Sequence, residues 1–275
     1  MADECLNCGT PLEGNFCAEC GQRLKGGDRS LKHLFGDLIN NLFFVDNRIW
    51  VSYRYLVFKP GVMTYEFLEG KRRKFMPPVT LFLFVNVLYF FISPLTDYSL
   101  PLSDQIKQPT HGAIATRMVE DRLTEENMEM EDYAEVYNQA SDNISKTIMI
   151  LNVPLMAFFV YLLAIRKRKY YFDSLIFSMH FFTVFLLCIV VGVFTAKGYY
   201  IVVNQWLGSS VGPWVFWMPT FMMILPLFFA IVSFRRFTQV KWMHAVWSGL
   251  LIMVGGMVAQ FIYRSIVFFT TFWMT

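Results

Sequence analysis

The run LIFSMHFFTVFLLCIVVGVFT, residues 175–195, contains no aspartate, glutamate, lysine or arginine. A helix of this length rises about 30 Å, which is the thickness of the hydrocarbon core of a bilayer. Four other runs share this character: residues 79–95, 148–165, 214–234 and 244–263. Hydrophobic residues make up 55% of the chain, so lipid is expected to be the solvent for most of it. The sequence therefore predicts an all-α integral membrane protein with five transmembrane helices.

Charged residues between these runs predict the orientation. Basic clusters lie at residues 71–74, 166–169 and 235–241, at the ends that would share one side of the membrane. The positive-inside rule makes that side cytoplasmic. The loop 97–146 has eleven acidic against four basic residues and is expected outside. This predicts a multi-pass protein of the inner (cytoplasmic) membrane, with its N-terminus inside and its C-terminus outside.

Two CxxC pairs, Cys5 with Cys8 and Cys17 with Cys20, stand close together near the N-terminus. Paired thiolates on two tight turns supply the four soft ligands of a tetrahedral structural zinc site. A disulfide framework would need an oxidising compartment, and a redox dithiol usually has a single CxxC. We therefore expect structural zinc in a ribbon spanning residues 1–27. Four protein ligands leave no open position for catalysis.

Residues 28–76 are predicted to form amphipathic helices. Residues 31–43 place apolar side chains at helical spacing, a second segment covers 48–58 after a possible N-cap at Asp46, and Pro60 fits the first turn of a third. Such helices either lie in the membrane interface or pack on the ends of the bundle, and the sequence leaves both open.

The remainder, residues 77–275, is predicted to be the transmembrane bundle. Within its outer loop, residues 112–143 carry a broken apolar stripe, which favours a small helical cap over a disordered linker. After Tyr263 a short apolar tail reads as an interfacial aromatic anchor.

Three motifs carry a resemblance to a known family. They are the sequence FCAECGQ at 16–22, the turn at 59–61, and EGKRR at 69–73 ahead of Pro77 and Pro78. Over about its first ninety residues the chain resembles an uncharacterised family of bacterial membrane proteins defined by a domain of unknown function. The resemblance implies an architecture and no activity.

Two further groups of residues are candidate sites. The basic run Lys71, Arg72, Arg73 and Lys74 precedes the first span, where it would anchor the topology or bind lipid headgroups. Polar side chains inside or near the spans are costly and often functional, and here they are Asn86, Asn152, His180, Gln260 and Arg264. Hydrogen bonding between helices is the simpler explanation, although His180 is the candidate for a proton or cation role.

The sequence has no Walker, HExxH or GxGxxG motif. We therefore expect a non-enzymatic membrane protein with a zinc-ribbon docking platform, in a regulatory or assembly role. Its expected partners are membrane lipids and a protein bound by the ribbon. Further copies of the chain are a third candidate partner, and nucleic acid is not expected. An oligomeric transporter or channel is the alternative, and a membrane enzyme acting on lipid is the third reading.

Overall fold

The computed structural model describes residues 4–12, 14–22, 48–92, 100–202 and 214–275. Every regular element in these ranges is helical, apart from an isolated antiparallel bridge between Glu4 and Pro11. Three helical segments, Met130–Ala164, Tyr171–Tyr199 and Trp242–Met274, are long and apolar enough to cross a membrane. The prediction of an all-α chain with helices of membrane-spanning length is confirmed, while the count of five spans and the orientation stay predictions.

The helices of the described residues follow one another along the chain. In order they are α1 (Arg48–Phe58), α2 (Val62–Leu68), α3 (Pro78–Ile92), α4 (Leu102–Gln105), α5 (Gly112–Glu126), α6 (Met130–Ile148), α7 (Asn152–Ala164), α8 (Tyr171–Ile201), α9 (Trp214–Thr238) and α10 (Trp242–Met274). A 3-10 turn, Met149–Leu151, joins α6 to α7. They form two compact units: Met1–Tyr89 with Ala157–Met253, and Phe90–Met156 with Val254–Thr275.

In the first unit, the short helix α2 is buried against α8 and α9. It buries Met63, Phe67 and Leu68, because residues at this spacing lie on one face of a helix. The helix α1 has the bounds that the sequence predicts, and it packs on α2 and α8. Its outer side exposes Trp50 and Phe58. The helix α1 therefore both packs on its neighbours and presents an apolar surface on its outer side.

In the second unit, α4, α5 and α6 pack around an aromatic core. Its members are Leu102, Ala115, Val119, Tyr133, Tyr137, Phe268 and Phe272. The helices expected for residues 112–143 are present as α5 and most of α6, while their place outside the membrane stays a prediction. The tail after Tyr263 is no separate anchor, because α10 continues unbroken to Met274 and its Phe268 and Phe272 are buried in this core. With no proline after Tyr263, nothing in the sequence stops the helix there.

The predicted amphipathic helix at 31–43 and the possible cap at Asp46 lie outside the described residues.

At 33 residues, α10 is about 50 Å long, which exceeds the bilayer core by several turns. Its C-terminal part carries the aromatic residues that complete the core of the second unit.

Candidate metal centre and its basic platform

Residues 4–12 and 14–22, here called the cysteine ribbon, form two matching turns. In each turn the amide of the first cysteine donates to a carbonyl five residues on, at Thr10 and at Gln22, each over 2.9 Å. The amides of Gly9 and Gly21 donate back to the carbonyls of Cys5 and Cys17, over 2.8 and 2.9 Å. Both glycines have positive φ, 78° and 65°, which side chains rarely adopt. Each turn therefore points two thiols the same way.

The four thiols converge. All the Sγ atoms lie within 4.8 Å of one another, with Cys5 at 3.6 Å from Cys20 and Cys8 at 3.5 Å from Cys17. A tetrahedral ion with metal–sulfur bonds of about 2.3 Å would separate its ligands by about 3.8 Å. The donor set and its spacing fit a metal ion held by four thiolates, and Cys188 on α8 takes no part.

The surroundings of Cys8 and Cys20 shift the pKa values of their thiols in opposite directions. A hydrogen bond from the Thr10 side chain lowers the pKa of the Cys8 thiol to about 6. Burial raises the pKa of Cys20 to about 11. Binding of an ion would release protons from these thiols, because the thiolate is the form that binds a metal.

The ribbon is seated on the chain just before α3. The Gln22 side-chain Nε2 donates to the Gly70 carbonyl oxygen over 2.8 Å. Gly70, at φ 102°, leaves room for Leu6, whose Cδ1 would lie 2.8 Å from a β-carbon added there. A β-carbon on Gly21 would lie 2.9 Å from the Arg73 guanidinium. Glycines on both sides therefore permit a close approach between the ribbon and the basic run.

The basic run, residues 71–74, contacts protein groups with three of its four side chains. Arg72 lies over the Phe67 ring, 5.3 Å from its centroid, and Arg73 lies beside the ribbon. Lys74 Nζ pairs with Glu66 at 2.9 Å. Lys71 is exposed. The run is part of a folded platform, and its role as a topology anchor stays a prediction.

Two arginines fix the segment around α2 to the other predicted cytoplasmic loops. Arg168 Nε donates to the Phe237 carbonyl oxygen at 2.9 Å, and its guanidinium lies 3.3 Å from Glu69. Arg236 donates to the Pro60 carbonyl oxygen at 2.6 Å. Sequence reasoning used these arginines only as topology signals, because nothing in a linear charge pattern names a distant carbonyl partner.

The intramembrane candidates are divided between the two units. His180 Nδ1 lies 2.8 Å from the Thr64 hydroxyl, and both residues are fully buried. The Asn152 amide donates to the Met149 carbonyl oxygen at 3.4 Å, one turn back in its own segment. Asn86 belongs with His180 to the first unit, whereas Asn152, Gln260 and Arg264 belong to the second. Asn86, Gln260 and Arg264 are half-buried.

Sequence reasoning missed a polar cluster in the second unit. The His111 ring is buried, with Nε2 at 3.1 Å from Gln105 Oε1 and Nδ1 at 3.0 Å from the Ser265 hydroxyl. It also packs against Phe268, and burial lowers the pKa of His111. The cluster ties α4 to α10 through a neutral imidazole. The only signal in the sequence was a histidine in an acidic loop.

Comparison with known proteins gives one match. Residues 46–90 match the sequence model of a family described as "Protein of unknown function (DUF3667)". No curated protein and no solved structure matches the chain. The matched segment contains α1, α2, the basic run and most of α3, so the part of the chain that bears the platform also bears the sequence of an uncharacterised domain family.

Proposed function

We propose that this chain is a non-enzymatic protein of the bacterial inner membrane whose zinc-loaded ribbon is a docking platform on the cytoplasmic side. Its role is to regulate or assemble a partner protein. The observation that carries the proposal is the convergence of four thiols in a ribbon seated directly on the chain that leads into α3.

A structural metal suits this role. Four cysteine ligands complete a tetrahedral shell, so no position remains for water or substrate. The ion's contribution is then to fold a segment of about twenty residues that is too short for a hydrophobic core. A rigid knob of this kind presents side chains to a partner at low entropic cost.

The exposed side of the ribbon supplies the contact. Phe16 is 61% exposed, and it immediately precedes the ligand Cys17, which is buried. A large aromatic side chain held next to a metal centre is the type of residue that anchors protein interfaces. Leu6 is exposed to the same fraction, but it also packs on Gly70. Phe16 is therefore the better anchor to test.

The surroundings of His180 favour the platform over a transporter. A proton or cation path would need its polar groups on a common water-filled route, whereas His180 is fully buried and bonded to Thr64. Its Nε2 has no hydrogen-bond partner among the described residues. When the Nδ1–H group donates to the Thr64 hydroxyl, Nε2 is an unprotonated acceptor. Burying an acceptor without a partner costs less free energy than burying a donor without one.

Capture of the partner by crosslinking in intact cells tests the proposal. Three variants are compared with the wild-type chain: Cys17→Ser removes a metal ligand, Phe16→Ala removes the exposed ring, and Cys188→Ser is the matched control on α8. We expect specific crosslinks with the wild type and with Cys188→Ser, and their loss in the other two. Phe16→Ala should keep its metal. A crosslinked set that is identical in all four chains would contradict the platform.

A further inference from the structure

The helix α1 has two opposite faces. On one side Ile49, Ser52 and Leu56 are buried, and the Met76 amide donates a hydrogen bond to the Ser52 hydroxyl at 2.9 Å. The other side, here called the outer face, exposes Trp50, Val51, Arg54, Val57 and Phe58. At about 100° per residue these five positions share one side of the helix, and Arg54 is at its centre.

The outer face is mainly apolar. Trp50 is 73% exposed and Phe58 is 79% exposed, about one turn before and one turn after Arg54. Single exposed apolar residues are common on proteins, whereas several on one short helix form a patch, and such patches mark contact with a membrane or with another protein. Because the buried side already holds α1 in place, the outer face is best explained as a contact surface.

The charge of this helix fits an anionic surface. The helix α1 contains no aspartate or glutamate, and Arg54 is exposed among the apolar side chains. Lys59, exposed just beyond the helix, has its Nζ 4.7 Å from the centre of the Tyr55 ring. A long basic side chain flanked by aromatic rings can reach lipid phosphates with its charge while the rings enter the boundary of the acyl chains.

The contact between α1 and α3 favours a lipid as the occupant of the outer face. The Tyr53 ring contacts the Phe84 ring of α3, with centroids 6.4 Å apart. Phe84, Val87 and Leu88 are themselves exposed on this apolar helix. Phe84 lies six residues after Pro78, about 9 Å along the helix axis, and helices in the interface plane are buried about 5–10 Å deep. With α3 as the predicted first span, α1 lies at the depth of an interfacial helix.

The same composition recurs at other connections of the first unit. Trp242 is exposed at the start of α10, and the Arg235 guanidinium lies 4.3 Å from the centre of its ring. Tyr170 and Tyr171 are exposed at the start of α8, next to the basic loop 166–169. Aromatic residues beside basic ones at several connections are typical of the level of the lipid headgroups, whereas a docking site for a protein needs them at one place only.

We propose that the outer face of α1 lies on the membrane surface and that Arg54 pairs with the phosphate of an anionic phospholipid. Trp50 and Phe58 enter the boundary of the acyl chains on either side of this contact. The sequence left α1 either in the interface or on the bundle, and here the buried side takes the second place and the outer face the first. This surface is separate from the ribbon, so it does not depend on what the ribbon binds.

Fluorescence quenching at a single introduced cysteine tests the depth of α1. The full zinc-loaded chain, with Cys188→Ala, carries a bimane label at Val57→Cys and is placed in nanodiscs of phosphatidylcholine with a minor fraction of phosphatidylglycerol. We expect quenching by a nitroxide attached near the glycerol end of the lipid acyl chains and shielding from iodide in the water. Glu129→Cys, exposed among acidic residues, is the control and should show the reverse. The Cys188→Ala chain alone gives the background label, and zinc content shows that each chain is folded.

A second arm tests the role of Arg54. The nitroxide is carried either by phosphatidylglycerol or by phosphatidylcholine at the same fraction, and the anionic carrier should quench the label at position 57 about fivefold more strongly. Arg54→Gln should remove most of this preference, and a preference kept in full would contradict the pairing with phosphate. Quenching at position 57 by iodide alone would leave the outer face in water and overturn the inference. Shielding from both quenchers would also overturn it, because another part of the chain or a second copy would then cover α1.

Discussion

At the scale of single residues, the thiols of the ribbon give the most direct prediction. The purified wild-type chain should carry about one zinc ion, because its four sulfur atoms are within 4.8 Å of one another. Cys17→Ser should abolish this zinc, since three ligands and a hydroxyl form a much weaker site. Elemental analysis measures the ratio, and Cys188→Ser is the control. Full zinc content in Cys17→Ser would refute the site.

Acid should release the same ion. Thiolates bind zinc and thiols do not, so the apparent affinity falls as the pH falls and protons compete for each sulfur. A chromogenic chelator can follow the release during a pH titration. We expect the seating of the ribbon to be lost together with the metal, visible as new proteolytic cleavage within the first thirty residues. Release of zinc with an unchanged cleavage pattern would show that the ribbon folds without it.

Gly61 should be intolerant of a side chain. Its φ is 76°, and an added β-carbon would lie 2.6 Å from the Ser233 Cα on α9. Gly61→Ala should therefore cost about 1–3 kcal/mol and lower the thermal midpoint in detergent. Gly198→Ala is the matched control, because Gly198 is helical with nothing within 4 Å of the added carbon. Equal midpoints for the two variants would mean that α2 is not held against α9 in this way.

At the scale of elements, the buried contact between α2 and α8 can be tested by making the same threonine-to-valine substitution at two positions. Thr64→Val leaves the His180 Nδ1 without its partner and should cost about 1–2 kcal/mol. Thr183→Val, also buried, removes only a bond of 2.8 Å to the Met179 carbonyl of its own helix and should be nearly neutral. Unfolding titrations in SDS compare them. Identical effects would remove the reason for treating α2 as anchored through His180.

The elements differ in how far the sequence could predict them. Helices with long apolar runs, such as α8, were predictable because lipid permits few alternatives to a helix. The bounds of α1 were also predictable, since its apolar periodicity is local. The burial of α2 was not, because it depends on Gly61 meeting Ser233 and on Thr64 meeting His180, which are contacts between distant parts of the chain.

The candidate site divides in the same way. Four cysteines at fixed spacing predicted a metal centre, because the ligands of a zinc ribbon are local to two turns. The place of the ribbon on the platform was not predictable, since the Gln22 bond to Gly70 joins residues 48 positions apart. Charge patterns predict which side of a membrane a segment occupies, but not which partner its side chains find.

At the scale of the whole molecule, the orientation in the membrane decides whether the thiols of the ribbon stay reduced and can bind zinc. In the reducing cytoplasm its thiols stay available to a metal, whereas outside the cell they would oxidise to disulfides. The platform and the topology are therefore linked predictions. Glu129 and Lys167 are both exposed, and the predicted spans place them on opposite sides.

A pair of introduced cysteines tests this orientation. In a Cys188→Ala background, Glu129→Cys should react with a membrane-impermeant maleimide added to intact cells, because the acidic loop is predicted outside. Lys167→Cys should react only after permeabilisation, because its basic loop is predicted inside. Bound metal should shield the ribbon cysteines in both chains. The reverse labelling pattern would place the ribbon outside. That result would contradict both the cytoplasmic platform and the choice of zinc over disulfides.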